Sequence, residues 1–192
     1  MNLFINACVR SSSRTEELAR VFLERLEGET EEVRLKDHPF PVVNEDYLNK
    51  RDSLIKKEQW SDPMFSLANQ FARADRIIIA APYWDLSFPA SLKQYIELVN
   101  VVGLTFTYNA QGQPEGLCRA DSIDYFTTAG GLNCPDDYGY EYIKALADRY
   151  YGIAHTQCIH VEGLDIVGND ARQIMEQALY QVKAIKISKE SL

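Results

Sequence analysis

Four cysteines are present, Cys8, Cys118, Cys134 and Cys158, and no two of them form a C-x-x-C pair. That absence excludes zinc ribbons and thioredoxin-type redox centres, and the thiols read as reduced. His155, Cys158 and His160 fall close together, but strand alternation sets His155 on the face opposite the other two. No metal site is expected there, and the three read as solvent-facing strand residues. Clustered basic residues are also missing: 20 Lys and Arg stand against 28 Asp and Glu, a formal net charge of −8. Nucleic-acid affinity comes from neutralising phosphates with such clusters, so no nucleic-acid partner is expected. The longest apolar run, Ile77 to Trp84, is far short of the ~20 residues that span a bilayer. The opening MNLFINACVR has no basic n-region. The chain therefore reads as cytoplasmic, with no membrane partner. Neither G-x-x-x-x-G-K-[ST] nor G-x-G-x-x-G occurs, which removes a triphosphate loop and a Rossmann fingerprint.

What is present is ordinary globular usage, 46% hydrophobic and 25% charged over 192 residues, enough for one domain spanning 1-192. LFINA (Leu3 to Ala7) reads as a buried strand, after which Leu18, Phe22 and Leu26 repeat at helical spacing. Glu32 to Leu35 reads as a second strand, and Asp37 to Tyr47, with Pro39 and Pro41, as a long irregular connection. Met64, Leu67, Ala68, Phe71 and Ala74 mark the next helix. RIIIAAP (Arg76 to Pro82) is apolar on both faces, the mark of a central parallel strand. A helix follows Pro89, and residues around Asn109 to Gly112 signal an inserted hairpin. SIDYFTTAGG (Ser122 to Gly131) is a strand running into two glycines. A helix is expected from about Pro135 to Tyr151, closed by Gly152. HTQCIHVEG is a last strand, and Asn169 or Asp170 caps a final helix.

This is βα repeated five times. It predicts an α/β fold with a five-stranded parallel sheet and helices on both faces. In the strand order 2-1-3-4-5, ligands bind outside the carboxyl ends of the strands, where the order reverses. CVRSSSRT, PYWDLSFP and TTAGG would meet there. The first carries Arg10, Arg14, four hydroxyls and the free amides of a helix start, a combination suited to phosphate. Ser13 with Glu16 also fits a simple capping box. Tyr83 and Trp84 could flank a flat ring, and Gly130 and Gly131 would let backbone approach it, although loop packing and a tight turn account for each alone. A phosphate end beside a flat-ring end describes flavin mononucleotide (FMN).

NACVRSSSRTEELA, APYWDLSFPASLKQYIELVNVVGLTFTYNAQGQPEGL and TTAGG together resemble the flavodoxin-fold NAD(P)H-dependent oxidoreductases, in particular the FMN-dependent NADH:quinone oxidoreductase and azoreductase family. The resemblance implies a flavodoxin-like fold and a homodimer with FMN at the interface. It implies electron transfer from NADH or NADPH to a quinone, azo or nitro compound in a ping-pong cycle. By position it places Ser13, Arg14 and Thr15 in the phosphate loop, with Arg10 in addition. Pro82, Tyr83, Trp84, Asp85 and Leu86 match the ring-contacting segment, and Thr128, Ala129, Gly130 and Gly131 the second flavin loop. Tyr108 matches a substrate-side aromatic. The first loop is short, Asp85 stands where Asn is common, and Ala129 where Arg can occur. Flavin chemistry needs no general base, and no catalytic side chain is assigned. A flavodoxin-type electron carrier is the alternative function, and the inserted hairpin argues against it.

Overall fold

The computed structural model describes residues 1–187. In chain order the elements are β1 (Asn2–Asn6), α1 (Arg14–Leu23), β2 (Thr30–Arg34), α2 (Glu45–Lys56), α3 (Ser66–Arg73), β3 (Arg76–Ala80) and α4 (Ala90–Val99). They continue with β4 (Phe106–Tyr108), β5 (Pro114–Gly116), β6 (Ser122–Thr128), α5 (Tyr140–Leu146), β7 (His155–Val161) and α6 (Ala171–Ala184). Single turns of 3-10 helix cover Leu35–Asp37 and Pro63–Phe65. The main sheet is wholly parallel in the order β2-β1-β3-β6-β7. That is the expected order once the antiparallel hairpin β4-β5 is set aside.

Every residue of β1 is buried, because the strand lies between two helical layers. Its alternate side chains feed two cores. Leu3 and Ile5 join Ile77, Ile79, Ile123 and Tyr125 beneath α3, α4 and α5, while Phe4 joins Ile78 and Phe126 beneath α1 and α6. Each such side chain adds roughly 1.5–3 kcal/mol on burial, which fixes strand register.

Three boundaries differ from expectation. β2 begins at Thr30 and ends at Arg34, leaving Leu35 to start the 3-10 turn. The connection after Asp37 is irregular only to Asn44, whose side chain caps α2 by accepting from the Tyr47 amide at 2.9 Å. No α2 residue is fully buried, so the helix carries no strong apolar stripe to read. The helix expected from Pro135 starts at Tyr140, since the residues before it form a loop with Asn133 at φ +56. It ends in a π-helical turn, Ala147–Tyr151, closed by Gly152 in the left-handed region as anticipated. The hairpin rests on that end: a Cβ added to Gly116 would lie 2.2 Å from the Gly152 nitrogen.

Among the described residues no helix is long and apolar enough to cross a membrane, and no group of three or more metal-ligating side chains assembles. At the amino end of the sheet Arg76 and Asp124 pair at 2.7 Å, 12% and 1% exposed, and Gln157 also donates to Asp124. Breaking a buried pair leaves a desolvated charge. Asp124→Ala is therefore expected to cost about 3 kcal/mol. Urea unfolding should show a lower midpoint with an unchanged slope.

Candidate functional site

At the carboxyl ends of the strands, the loops after β1, β3 and β6 enclose a cleft of about 380 Å³. Arg10, Ser13, Arg14, Thr15, Pro82, Tyr83, Trp84, Thr128, Ala129 and Gly130 all line it. Asp85, Leu86 and Gly131 adjoin the wall without lining it. Tyr108 lies elsewhere, on the hairpin, with its ring edge against Phe106 and 50% of its surface exposed. A larger groove of about 640 Å³ lies between α2 and α3, lined by His38, Tyr47, Met64 and Leu67 among others. Its one Lys or Arg, Lys50, sits with two carboxylates, Asp46 and Asp62, so nothing there favours an anion and size does not make it the site.

The phosphate-suited end is built on the start of α1. Ser13 caps the helix by accepting from the Glu16 amide at 3.3 Å, which bears out half of the capping box. The other half is absent: the Glu16 carboxylate accepts from Arg20 and Arg34. The amides of Arg14 and Thr15, at the very start of α1, have no intrahelical acceptor. Capping does not use up the helix start, since Ser13 takes the third donor and leaves the first two free for an anion. The Thr15 and Thr128 hydroxyls meet at 2.6 Å, tying this loop to the one after β6. Arg14 lies 3.1 Å from Asp165 and is itself partly exposed, so the pair is weak enough to open.

Asp165 and Leu164, after β7, form a wall that the sequence reading did not assign. Asp165 donates its amide to the Gly130 carbonyl, and a Cβ on Gly130 would sit 2.4 Å from the Asp165 carboxylate. A carboxylate thus passes over the glycine, and any side chain at 130 would have to push it aside. The rule that ligands gather at strand ends would have pointed to Asp165, had it been applied to the last strand.

The other end carries the aromatics. Trp84 and Ser87 exchange both backbone hydrogen bonds, at 3.0 and 2.8 Å, around Asp85 and Leu86 at φ +50 and +67. This is the pattern of a two-residue type I′ turn, which favours Asn or Asp and then Gly. Asp85 suits it and Leu86 does not. The turn also explains why Asp can replace Asn at position 85.

The loop before α5 braces the turn: Ser87 donates to the Tyr138 carbonyl at 2.6 Å and Tyr83 to the Pro135 carbonyl at 3.2 Å. Glu162, after β7, accepts from the Asn133 and Cys134 amides at 3.0 and 2.7 Å. His160 is not solvent-facing as expected: its side chain is 13% exposed, 3.0 Å from Asp136, and its ring stacks on Tyr83 at 5.7 Å. Desolvation, then Cys134, Asp136, Glu162 and Asp137, hold the Tyr83 phenol above its usual range, so it stays a neutral donor. Burial likewise pushes Cys8 up to about 11 and Cys118 and Cys158 up to about 12. These thiols stay protonated, and none is an activated nucleophile.

Cations, hydroxyls and free amides at one end and a flat aromatic end at the other, at the switch point of a doubly wound sheet, define a protein of the mononucleotide-binding α/β class. Residues 2–185 match the family model for the flavodoxin-like fold. An FMN-dependent NADH:quinone oxidoreductase of Clostridium perfringens strain SM101 is 32% identical over 98% of both chains. One from Lachnoclostridium phytofermentans is also 32% identical, again over 98% of both. The chain belongs to this flavodoxin-like family of FMN-dependent NADH:quinone oxidoreductases. Its fold matches a Bacillus anthracis azoreductase with a TM-score of 0.82 at 23% identity, covering 95% of this chain and 96% of that one.

A leucine in the left-handed region costs about 1–2 kcal/mol. Leu86 is 54% exposed and has little burial to lose. Leu86→Gly should therefore raise the stability of the ligand-free protein by about 1 kcal/mol, after the entropy cost of glycine. The urea midpoint is the measurement; a lower midpoint would contradict the strained turn.

Proposed function

We propose that this protein is an FMN-dependent oxidoreductase that passes electrons from NADH or NADPH to quinones or azo compounds in a ping-pong cycle. The observation that carries the reading is the cleft itself, where a helix start with Arg10, Arg14, Ser13 and Thr15 faces the Tyr83 and Trp84 turn. Its parts fit the cofactor, including the bare backbone at Gly130. Bound FMN supplies the ring that accepts and returns hydride.

The chain's own residues hold and shield. Arg14, released from Asp165, and the free amides of Arg14 and Thr15 would take the phosphate. The backbone of Thr128 to Gly131 and the turn at Tyr83 to Leu86 would border the ring, with Trp84 limiting water. The Tyr83 hydroxyl is engaged with Pro135 and assists by position, not by giving up its proton. No protein nucleophile is required, in keeping with the protonated thiols. The names of the 32% identical relatives favour an enzyme over an electron carrier.

The active unit in this reading is a homodimer in the cytoplasm. Val42, Val43 and Leu48 are exposed at 80%, 48% and 37% beside α2, an apolar strip that a second copy would cover. Tyr108, remote from its own cleft, would then serve the substrate side of its partner's.

Two measurements test these readings. Arg14→Ala should weaken FMN about 10- to 100-fold, the worth of a charge-assisted hydrogen bond, while leaving riboflavin nearly unaffected. Equal losses for both ligands would remove Arg14 from the phosphate. Light scattering should give about twice the 21.9 kDa chain mass, and a fully active monomer would refute the dimer.

A further inference from the structure

The ring end of the cleft is built from segments with no cationic side chain: neither Lys nor Arg occurs from Ile77 to Leu92, from Ala120 to Ile143 or from Tyr150 to Ala171. The same segments place Asp85 on the turn, Asp136 and Asp137 on the loop bracing it, and Glu162 against that loop. Among the described residues, the only ion-pair partner of any of these four is His160, 3.0 Å from Asp136 and 3.8 Å from Glu162. The same segments also expose apolar surface, with Trp84 at 43%, Leu132 at 56% and Tyr138 at 64%. Positive charge is confined to the opposite end, at Arg10 and Arg14.

We propose, building on the oxidoreductase reading, that the ring end selects the electron acceptor by charge, taking neutral or cationic aromatic rings and disfavouring rings that bear a sulfonate or carboxylate. Apolar surface is offered equally to every flat ring, so it does not discriminate. Charge does. An anionic group on an acceptor ring held at the Trp84 turn would meet the summed field of these carboxylates, screened over a Debye length of about 8 Å at physiological salt. The dinucleotide donor escapes this because its phosphates lie far along the molecule from the nicotinamide. The raised Tyr83 phenol is consistent with negative potential at this end.

The test uses the FMN-loaded protein, its flavin verified by visible spectrum, with NADH and two anthraquinones, one carrying a 2-sulfonate and one a 2-hydroxymethyl group. At low salt, kcat/KM for the sulfonate should be about tenfold lower, with the gap narrowing as salt rises. Asp137 is exposed and forms no side-chain hydrogen bond among the described residues, so it can be changed without disturbing the loop. Asp137→Lys should narrow the gap about fivefold, and Asp137→Asn by less, through the sulfonate value alone. Calorimetric affinities of both anthraquinones for the oxidised protein, without donor, should shift in the same ratio. An unchanged sulfonate-to-hydroxymethyl ratio in Asp137→Lys would overturn the proposal. A preparation that takes up no FMN, or oxidises NADH with neither quinone, would instead refute the oxidoreductase reading and this inference with it.

Discussion

A wholly parallel sheet ends all its strands at one edge, and the peptide groups there still need partners. The chain meets that need by carrying the ladder past the strands: the Ala7 amide donates to Ala80, Ala81 to Phe126, Tyr83 to Thr128 and Ala129 to Val161, at 2.8 to 3.1 Å. Each of these bonds draws one strand-end loop against its neighbour. The cleft walls are thus the continuation of the sheet, and their spacing follows from strand spacing rather than from loop packing. Both faces of the sheet must be covered for this edge to exist, which is why α1 and α6 lie on one side and α3, α4 and α5 on the other.

The same constraint separates rigid from adjustable parts of the site. The loop after β1 is short and runs directly into α1, so helix geometry fixes its free amides. The turn after β3 projects beyond the ladder and is held by side-chain contacts: Ser87 to Tyr138, Tyr83 to Pro135, and the His160 ring behind Tyr83. Leucine at φ +67 at its tip shows that these contacts, together with the paired Trp84 and Ser87 backbones, outweigh local preference. Strain of this size persists only where the surroundings over-determine the conformation.

Sequence patterning revealed the elements whose burial is one-sided or complete. RIIIA is apolar throughout because both its faces are covered, and Leu92, Tyr95, Ile96 and Val99 repeat because one face of α4 meets the sheet. α2 was not legible for the converse reason: EDYLNKRDSLIK buries no residue fully, so its periodicity is faint. The loops after β1, β3 and β6 were recognisable from residue types that make sense only at a strand end. His160 was not, and of Asp165 only the position past a strand end was readable, since the roles of both come from juxtaposition across the sheet. Asp165 matters because Gly130 and Arg14 are adjacent, and His160 because Tyr83 and Asp136 fold over it.

The way ionisable groups are disposed around the cleft follows one rule. Burial keeps the Cys8, Cys118 and Cys158 thiols protonated, and desolvation with neighbouring acids keeps the Tyr83 phenol neutral. Two carboxylates near the cleft are spent on structure, Glu162 on two loop amides and Asp165 on Arg14. A site arranged this way offers no acid, base or nucleophile of its own that is both free and correctly poised. It offers shape, a fixed anion seat and a flat apolar border. Such a site can accelerate a reaction only by holding reactive groups that arrive from outside the chain, and a flavin that takes hydride from one ring and gives it to another needs nothing more from the protein than that.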